Sequence, residues 1–205
     1  MARKALASIA VLLASSSAAL ADPIFSNAAA DTSSGSGREM TAWMQADDFH
    51  ITSDTTVTGA AVEWFTLNRL TTWDHALNWY IFSDQGGAPG SLIAQGGGVN
   101  LLTEFGGHTN YDRYASTFDL SAPVFLAGGH TYWFGLHFAN DFSRHDIYWA
   151  DAVSSQLSAG MESYQGVMNN WANVSNMDRS FSMVPTPGAV SLAAAGALVL
   201  IRRKR

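Results

Sequence analysis

Histidines are common metal ligands and proton carriers in proteins, and this sequence contains six of them. No two have the i, i+2 spacing within a strand or the i, i+4 spacing on a helix that builds a local zinc motif. His137 and His145 flank a loop with Asp141 and Asp146, and these side chains could form a site only if folding brings them together. Ordinary surface or half-buried histidines are the simpler interpretation.

Carboxylates offer a second route to a metal site, because Ca²⁺ takes hard oxygen ligands. Asp47 and Asp48 are adjacent, Asp54 follows closely, and Gly-rich turns could add backbone carbonyls. These aspartates are therefore calcium candidates, although the sequence has no EF-hand loop, and no other metal or cofactor is expected. In the alternative interpretation, Asp48 begins a strand and faces water.

Aromatic side chains are abundant, with seven tryptophans and six tyrosines. An aromatic plane can pack against the CH-rich face of a sugar ring while polar neighbours bind the hydroxyl groups. Five aromatic residues in or beside polar segments are candidates for glycan stacking: Trp73, Trp79, Trp171, Tyr111 and Tyr114. Most aromatic residues in a β-sandwich belong to the core, and Trp64, Trp133 and Phe134 are assigned there.

Catalytic motifs have little support in the sequence. Ser34-Gly35-Ser36-Gly37 lacks the Gly-x-Ser-x-Gly elbow, and no Ser-His-Asp order stands out. Glu63 and Glu104 could in principle form a glycosidase pair, but neither has a local signature. The protein is therefore not expected to be an enzyme, with a glycan hydrolase as the catalytic alternative.

Charge is segregated along the 205 residues. Six of the 11 basic residues lie at positions 3–4 and 202–205, whereas residues 22–187 contain five arginines, no lysine and all 17 acids, a formal charge of −12. A body of that sign repels nucleic-acid phosphates and anionic lipid headgroups. Nucleic acid is therefore not expected as a partner, while cations and neutral glycans are easier ones.

Cysteine is absent, which excludes disulfides, thiol catalysis and thiolate metal sites. Without disulfides, the fold depends on core packing, which favours one compact sheet domain over a string of small modules. Charged residues are only 14% of the sequence, while the 18 glycines and the 12% of aromatic residues are typical of short strands joined by tight turns. The composition favours an all-β fold.

Residues 1–21 have the three parts of a secretory signal peptide. Arg3 and Lys4 form the charged start, residues 5–13 form a short apolar run, and Ala19-Leu20-Ala21 is an A-x-A cleavage site. Nine apolar residues are too few to cross about 30 Å of hydrocarbon as an anchor. The sequence therefore predicts an N-terminal signal helix and an exported protein.

Residues 184–205 combine three features in order: a proline motif, an apolar stretch over 189–201 and a basic cluster. The motif is Val184-Pro185-Thr186-Pro187-Gly188, and the basic cluster consists of Arg202, Arg203, Lys204 and Arg205. Thirteen apolar residues cover about 20 Å as a helix, which is short for a stable membrane span but enough for a transient one. The basic cluster would stay in the cytoplasm, so the body would lie outside.

This order resembles the PEP-CTERM sorting signal that exosortases recognise. The usual core of that signal is Pro-Glu-Pro, whereas this sequence has Pro185-Thr186-Pro187, which resembles a variant of that core. The resemblance covers residues 184–205 and implies an exosortase-type membrane transpeptidase as partner, transient insertion of the short C-terminal helix in the inner membrane, and removal of the tag. A plain tail anchor is the alternative.

Between the two ends, period-two alternation predicts β-strands separated by turns at intervals of about ten residues. In the clearest strand, 131–138, the side chains of Tyr132, Phe134, Leu136 and Phe138 share one face. The other predicted strands are 46–51, 59–67, 77–82, 91–94, 114–120, 146–149 and 179–184, and the clearest breaks are 84–90, 96–98, 106–107 and 127–129. The sequence thus predicts one antiparallel, jelly-roll-like β-sandwich of about eight to ten strands over 22–183, flanked by the terminal helices.

Three pieces of this body occur in a recognisable order: 46–49 leading to 57–59, 81–84 with the turn 86–90, and 126–133. Together they are similar to a group of bacterial extracellular β-sandwich domains often found ahead of such tags. The resemblance implies a jelly-roll-like fold and says little about a ligand, because these motifs describe strands and turns.

The expected function is that of an exported cell-surface or exopolysaccharide-matrix protein with a non-catalytic, structural or adhesive role. It would be transiently anchored in the inner membrane by its tag. The alternative is a carbohydrate-binding module with exopolysaccharide as partner, which requires tryptophans or tyrosines exposed together on one face or loop rim.

Overall fold

The computed structural model describes residues 22–31, 35–67, 73–108, 110–154, 157–173 and 176–185. The predicted signal peptide, with Ala19 and Ala21, lies outside the described residues, as do Thr186, Pro187, Gly188 and the basic cluster. All regular secondary structure in the described ranges is β, which confirms the predicted all-β class. Among those residues, no helix has the length and apolar character to span a membrane.

Twelve strands are formed within these ranges. In chain order they are β1 (Phe25–Ser26), β2 (Gly37–Glu39), β3 (Trp43–Ile51), β4 (Thr55–Thr66), β5 (Asn78–Asp84), β6 (Pro89–His108), β7 (Asp112–Leu126), β8 (His130–His137), β9 (Ile147–Ala150), β10 (Met161–Tyr164), β11 (Ala172–Asn173) and β12 (Phe181–Pro185). The predicted alternating segments are therefore found as strands, with longer bounds for β4, β6 and β7 than the sequence indicated.

The strands join into one antiparallel sheet that curls on itself. Neighbours follow the order β1-β12-β4-β7-β6-β5-β8-β3-β10-β11, while β9 pairs with the end of β4 and β2 pairs with β9. The 20-residue β6 makes the curl, because residues 89–97 pair with β5 and residues 98–108 pair with β7. Register shifts along both ladders accompany this change of partner, as expected where a strand bends.

The breaks predicted at 96–98 and 106–107 are wrong, since both lie inside β6. Gly96 and Gly98 serve close packing instead of a turn, whereas Gly107 has φ +112° and lies at a register shift between β6 and β7. A Cβ on Gly96 would overlap the Ser121 hydroxyl and lie 2.9 Å from the Trp79 ring, and a Cβ on Gly98 would lie 2.8 Å from Leu77. The small residues allow β6 to cross the core closely where it changes partner.

Both halves of the curled sheet contribute to one apolar core. Phe134 of β8 lies 5.4 Å from Phe181 of β12 and 6.0 Å from Trp149 of β9, measured between ring centroids. The predicted alternation in β8 is confirmed, because Phe134 and Leu136 belong to this core while Trp133 packs in a second cluster on the other side of the sheet. The predicted burial of Trp64, Trp133 and Phe134 is also confirmed.

Candidate functional site

A cleft of about 220 Å³ lies on the outer face of β4, β7 and β6, which is the face opposite the core. Val62 and Trp64 of β4 belong to the core, so the alternating Glu63 and Phe65 point to the outer face. Glu63 is paired with Ala115 and Phe65 with Arg113 on β7, and directly paired residues share a face. These four residues all line the cleft.

Two glycines allow the segment before β2 and the start of β2 to close over this face. Gly35 has φ +61°, and a Cβ at this position would overlap the Tyr111 ring. A Cβ on Gly37 would meet the Trp149 carbonyl oxygen and lie 2.6 Å from the Phe65 ring. Any larger residue at either position would push this segment away from the cleft.

Aromatic rings form one wall of the cleft. The partly exposed ring of Tyr111 lies 5.2 Å from the buried ring of Phe65, which in turn stacks on Tyr148 at 5.2 Å and 9°. Such contacts fix ring orientation and add about 0.5–1.5 kcal/mol per pair beyond the area they bury. Tyr111 is therefore held in place by the fold while its ring lines the opening.

Charged groups of both signs line the same cleft: Asp31, Glu63 and Arg113. Glu63 Oε2 accepts a hydrogen bond from the backbone N–H of Ala30 at 2.9 Å, which ties the covering segment to β4. The buried Nε of Arg113 has no hydrogen-bond partner among the described residues. A buried donor left in this way costs about 1–3 kcal/mol.

The two acids considered for glycosidase chemistry lie on this same outer face. Ala115 pairs with Glu63 on one side and with Glu104 on the other. With strands about 4.8 Å apart, the two glutamates are separated by about 10 Å at their Cα atoms. Glu104 is exposed and does not belong to the cleft lining, so the pair shares a face without sharing a pocket.

The calcium candidates Asp47 and Asp48 lie buried in the middle of β3, with 0% and 3% exposure. The interpretation that Asp48 begins a strand and faces water is wrong. Asp48 accepts hydrogen bonds from the Ser158 N–H at 3.1 and 3.2 Å, because the segment leading to β10 packs over this strand. Burial raises the pKa of Asp48 to about 6.

Asp47 holds a second part of the chain. Its Oδ2 accepts hydrogen bonds from the backbone N–H of Arg179 at 2.5 Å and from Asn27 Nδ2 at 3.0 Å, and burial raises its pKa well above the usual range. The buried Arg179 guanidinium forms an ion pair with Asp151 at 2.5 Å. Asp47 and Asp48 thus connect β3 directly to loop segments. The described residues contain no group of three His, Asp or Glu arranged to hold a metal ion.

Two of the three tryptophans predicted to stack on glycans are in the core, so that prediction is wrong for them. Trp73 is 7% exposed and Trp79 is 1% exposed. Their indole N–H groups donate to the carbonyls of Phe138 at 3.0 Å and Gly97 at 2.9 Å, which allows both rings to be buried beside polar sequence.

Trp171 stays partly exposed, but it lies against the second cluster, edge-on to Phe82 at 5.4 Å. The three tryptophans therefore do not form a row on one surface. The two tyrosines are placed differently from each other: both border the cleft, but Tyr111 presents its ring there, whereas Tyr114 pairs with Trp64 and so directs its ring to the core side of the sheet. Tyr114 stacks on Trp64 at 4.4 Å and contacts the exposed Phe105 ring at 5.5 Å.

The histidine loop does not assemble a metal site within the described residues. His137 is buried, stacks on Phe142 at 4.3 Å and lies 2.6 Å from the Thr41 carbonyl oxygen through Nε2, and burial lowers the pKa of His137. His145 lies 3.8 Å from the exposed Asp141. His137 therefore belongs to the packing of the loop that follows β8.

Sequence reasoning identified Tyr111 and Tyr114 but missed Asp31, Phe65 and Arg113 as their partners in the cleft. These residues come from segments distant in the sequence, and only the pairing of β4 with β7 brings them together. The sequence signal that could have identified Arg113 is its position two residues after Tyr111, since it is one of only five arginines in the acidic body.

No family model matches this sequence, and no curated protein matches it significantly.

Proposed function

We propose that this chain is an exported protein of the bacterial cell surface or exopolysaccharide matrix, with a non-catalytic, structural or adhesive role. The order of features along the sequence carries the proposal. A signal peptide precedes a strongly acidic body, and the motif Pro185-Thr186-Pro187-Gly188, an apolar stretch and a basic cluster follow it. An exosortase-type transpeptidase is the proposed sorting partner.

The acids of the body support a structural role. Asp47 and Asp48 accept backbone hydrogen bonds from residues more than 100 positions away in the sequence, namely Arg179 and Ser158. Carboxylates engaged in this way stabilise the packing of loops on β3 and leave few oxygens for acid–base chemistry. These hydrogen bonds link distant parts of the chain, which is the role that disulfides have in many exported proteins.

A jelly-roll-like β-sandwich is the finer fold that we propose for the curled sheet. Two observations support it: β6 passes from one half of the sheet to the other, and the two halves share a core. The signal helix and the short C-terminal helix remain predictions, since both lie outside the described residues.

The proposed tag starts at the sheet itself. Val184 and Pro185 are the last residues of β12 and pair with Gly59 and Val57 of β4. Residues 185–188 span at most about 14 Å when fully extended. The sorting enzyme would therefore work close to the folded body, and a truncation that tests the tag must leave β12 intact.

Removing residues 186–205 tests the sorting proposal, because it deletes the apolar stretch and the basic cluster but keeps Val184 and Pro185 in β12. We expect the truncated protein in the culture medium and the full chain on the cells, measured by fractionation and immunoblotting. The matched control keeps residues 186–205 and carries Glu104→Gln, a change at an exposed residue of β6, and it should stay with the cells. Identical fractionation of the truncated and full chains would refute the sorting role.

A carbohydrate-binding module is the second candidate function, favoured by the cleft. The cleft combines an aromatic wall with charged groups of both signs, which is the combination that sugar hydroxyls and ring faces require. The residues that carry this function would be those of the cleft and not the tryptophans that the sequence suggested.

A further inference from the structure

We propose that the outer-face cleft binds one ring of a neutral glycan, with Tyr111 as the ring platform and Arg113 and Glu63 as partners of its hydroxyl groups. The proposal rests on the adhesive role proposed above and gives it a ligand class. Three properties of the cleft lead to it: a fixed aromatic wall, a pairing of donor and acceptor side chains, and a local balance of charge.

The aromatic wall favours a flat, partly apolar ligand. Tyr111 is partly exposed, lies against Phe65 at 5.2 Å and packs on Gly35. Because its position is set before any ligand arrives, stacking on its ring requires little ordering of the side chain. Sugar rings present a CH-rich face that packs on such a plane.

The polar groups favour hydroxyl recognition. Arg113 lines the cleft and its guanidinium carries only donors, while Glu63 accepts from the Ala30 N–H through Oε2 and keeps a second oxygen as an acceptor. A sugar hydroxyl both donates and accepts, so it can bridge an arginine and a glutamate. An alkyl or aromatic ligand would leave these groups unmatched.

The charge around the cleft favours a neutral glycan over an acidic one. One arginine lines the cleft together with two acids, Asp31 and Glu63. The body as a whole has five arginines against 17 acids over residues 22–187, so it repels a polyanion at long range. A chain of uronic acids is therefore disfavoured both at the cleft and on approach.

The size of the cleft limits how much of the glycan it holds. Its volume of about 220 Å³ is smaller than the range of about 300–1,000 Å³ typical of sites for drug-sized ligands. The cleft therefore takes a single ring, and the rest of the glycan extends over the exposed outer face, where Glu104 lies beyond Ala115.

Isothermal titration with defined oligosaccharides tests the proposal on the full chain, purified in a detergent without a sugar headgroup. The probes are gluco-, manno-, galacto- and chito-oligosaccharides of matched length, with oligogalacturonate as the acidic counterpart. We expect at least one neutral probe to bind and oligogalacturonate not to bind. Absence of binding by every neutral probe, or binding by oligogalacturonate alone, would overturn the proposal.

Variants locate the binding site. Arg113→Gln removes a charged hydrogen bond and Tyr111→Leu removes a stacking surface, so each should weaken binding about tenfold or more. The matched control is Tyr164→Leu, which changes a half-exposed tyrosine that does not line the cleft, and it should bind like the unaltered chain. Thermal unfolding shows that each variant is folded. Undiminished binding in both cleft variants would place the site elsewhere.

The outcomes separate this proposal from the proposed function. Loss of surface sorting in the truncated chain leaves sugar binding by the purified protein unaffected, so either result can fail without the other. An increase in reducing ends during titration would contradict the non-catalytic role, while binding itself would still support the cleft.

Discussion

The buried carboxyl of Asp48 makes the free energy of unfolding depend on pH. It lies in the middle of β3, accepts hydrogen bonds from the Ser158 N–H, and has its pKa raised to about 6 by burial. An aspartate in an unfolded chain has a pKa of about 3.9. The folded protein therefore binds more protons than the unfolded chain between about pH 4 and pH 6, so its free energy of unfolding falls as pH rises through that window.

Asp48→Asn tests this effect. The asparagine keeps an oxygen that can accept from Ser158 but carries no charge, so the variant should lose that part of the decline in stability between pH 4 and pH 6. At pH 8 we expect the variant to be at least as stable as the unaltered chain. Its stability relative to the unaltered chain should be lower at pH 4 than at pH 8. Denaturant unfolding at several pH values measures the difference.

The matched control is Asp119→Asn, which removes an exposed aspartate of β7. Its profile, measured alongside, shows the effect of removing a carboxylate that is not buried. Parallel profiles for Asp48→Asn and the unaltered chain would show that burial does not shift this carboxyl.

At the scale of elements, the segment before β12 is held by a buried ion pair. Arg179 is fully buried and its guanidinium contacts Asp151 at 2.5 Å, while its backbone N–H donates to Asp47. Removing one partner of a buried pair leaves an uncompensated charge, which costs about 3–5 kcal/mol. The exposed pair of Arg144 and Asp146 is worth about 0–1 kcal/mol at most.

Arg179→Met should therefore lower the free energy of unfolding by about 3–5 kcal/mol, and Arg144→Met by less than about 1 kcal/mol. Denaturant unfolding of the two variants gives both values under the same conditions. Equal destabilisation by the two substitutions would mean that the Arg179 pair does not hold the segment in place.

Much of the sheet is predictable from the sequence, because alternation of apolar and polar residues reports one buried face. That signal identified β8 and the central parts of β3, β4 and β7. It failed in β6, where glycines that permit close packing resemble turn glycines in the sequence. It also misplaced Trp73 and Trp79, because an indole N–H can be satisfied by a backbone carbonyl in the core, which no sequence pattern reveals.

At the scale of the whole molecule, the cleft depends on tertiary structure alone. Asp31, Glu63 and Arg113 come from three segments that meet only when β7 pairs with β4 and the segment before β2 closes over them. The proposed export and sorting depend on the opposite kind of information, because the predicted signals at both ends are linear patterns of residues. The two kinds of information together give an acidic β-sheet body, for which we propose a transport signal at each end.

We propose that the protein is exported and processed at both ends, and the decisive measurement is the intact mass of the protein isolated from the cell surface. We predict a mass that corresponds to a chain starting at Asp22 and lacking Arg202, Arg203, Lys204 and Arg205. Surface protein whose mass still includes residues 202–205 would contradict processing of the tag, and a mass that includes residues 1–21 would contradict cleavage of the signal peptide.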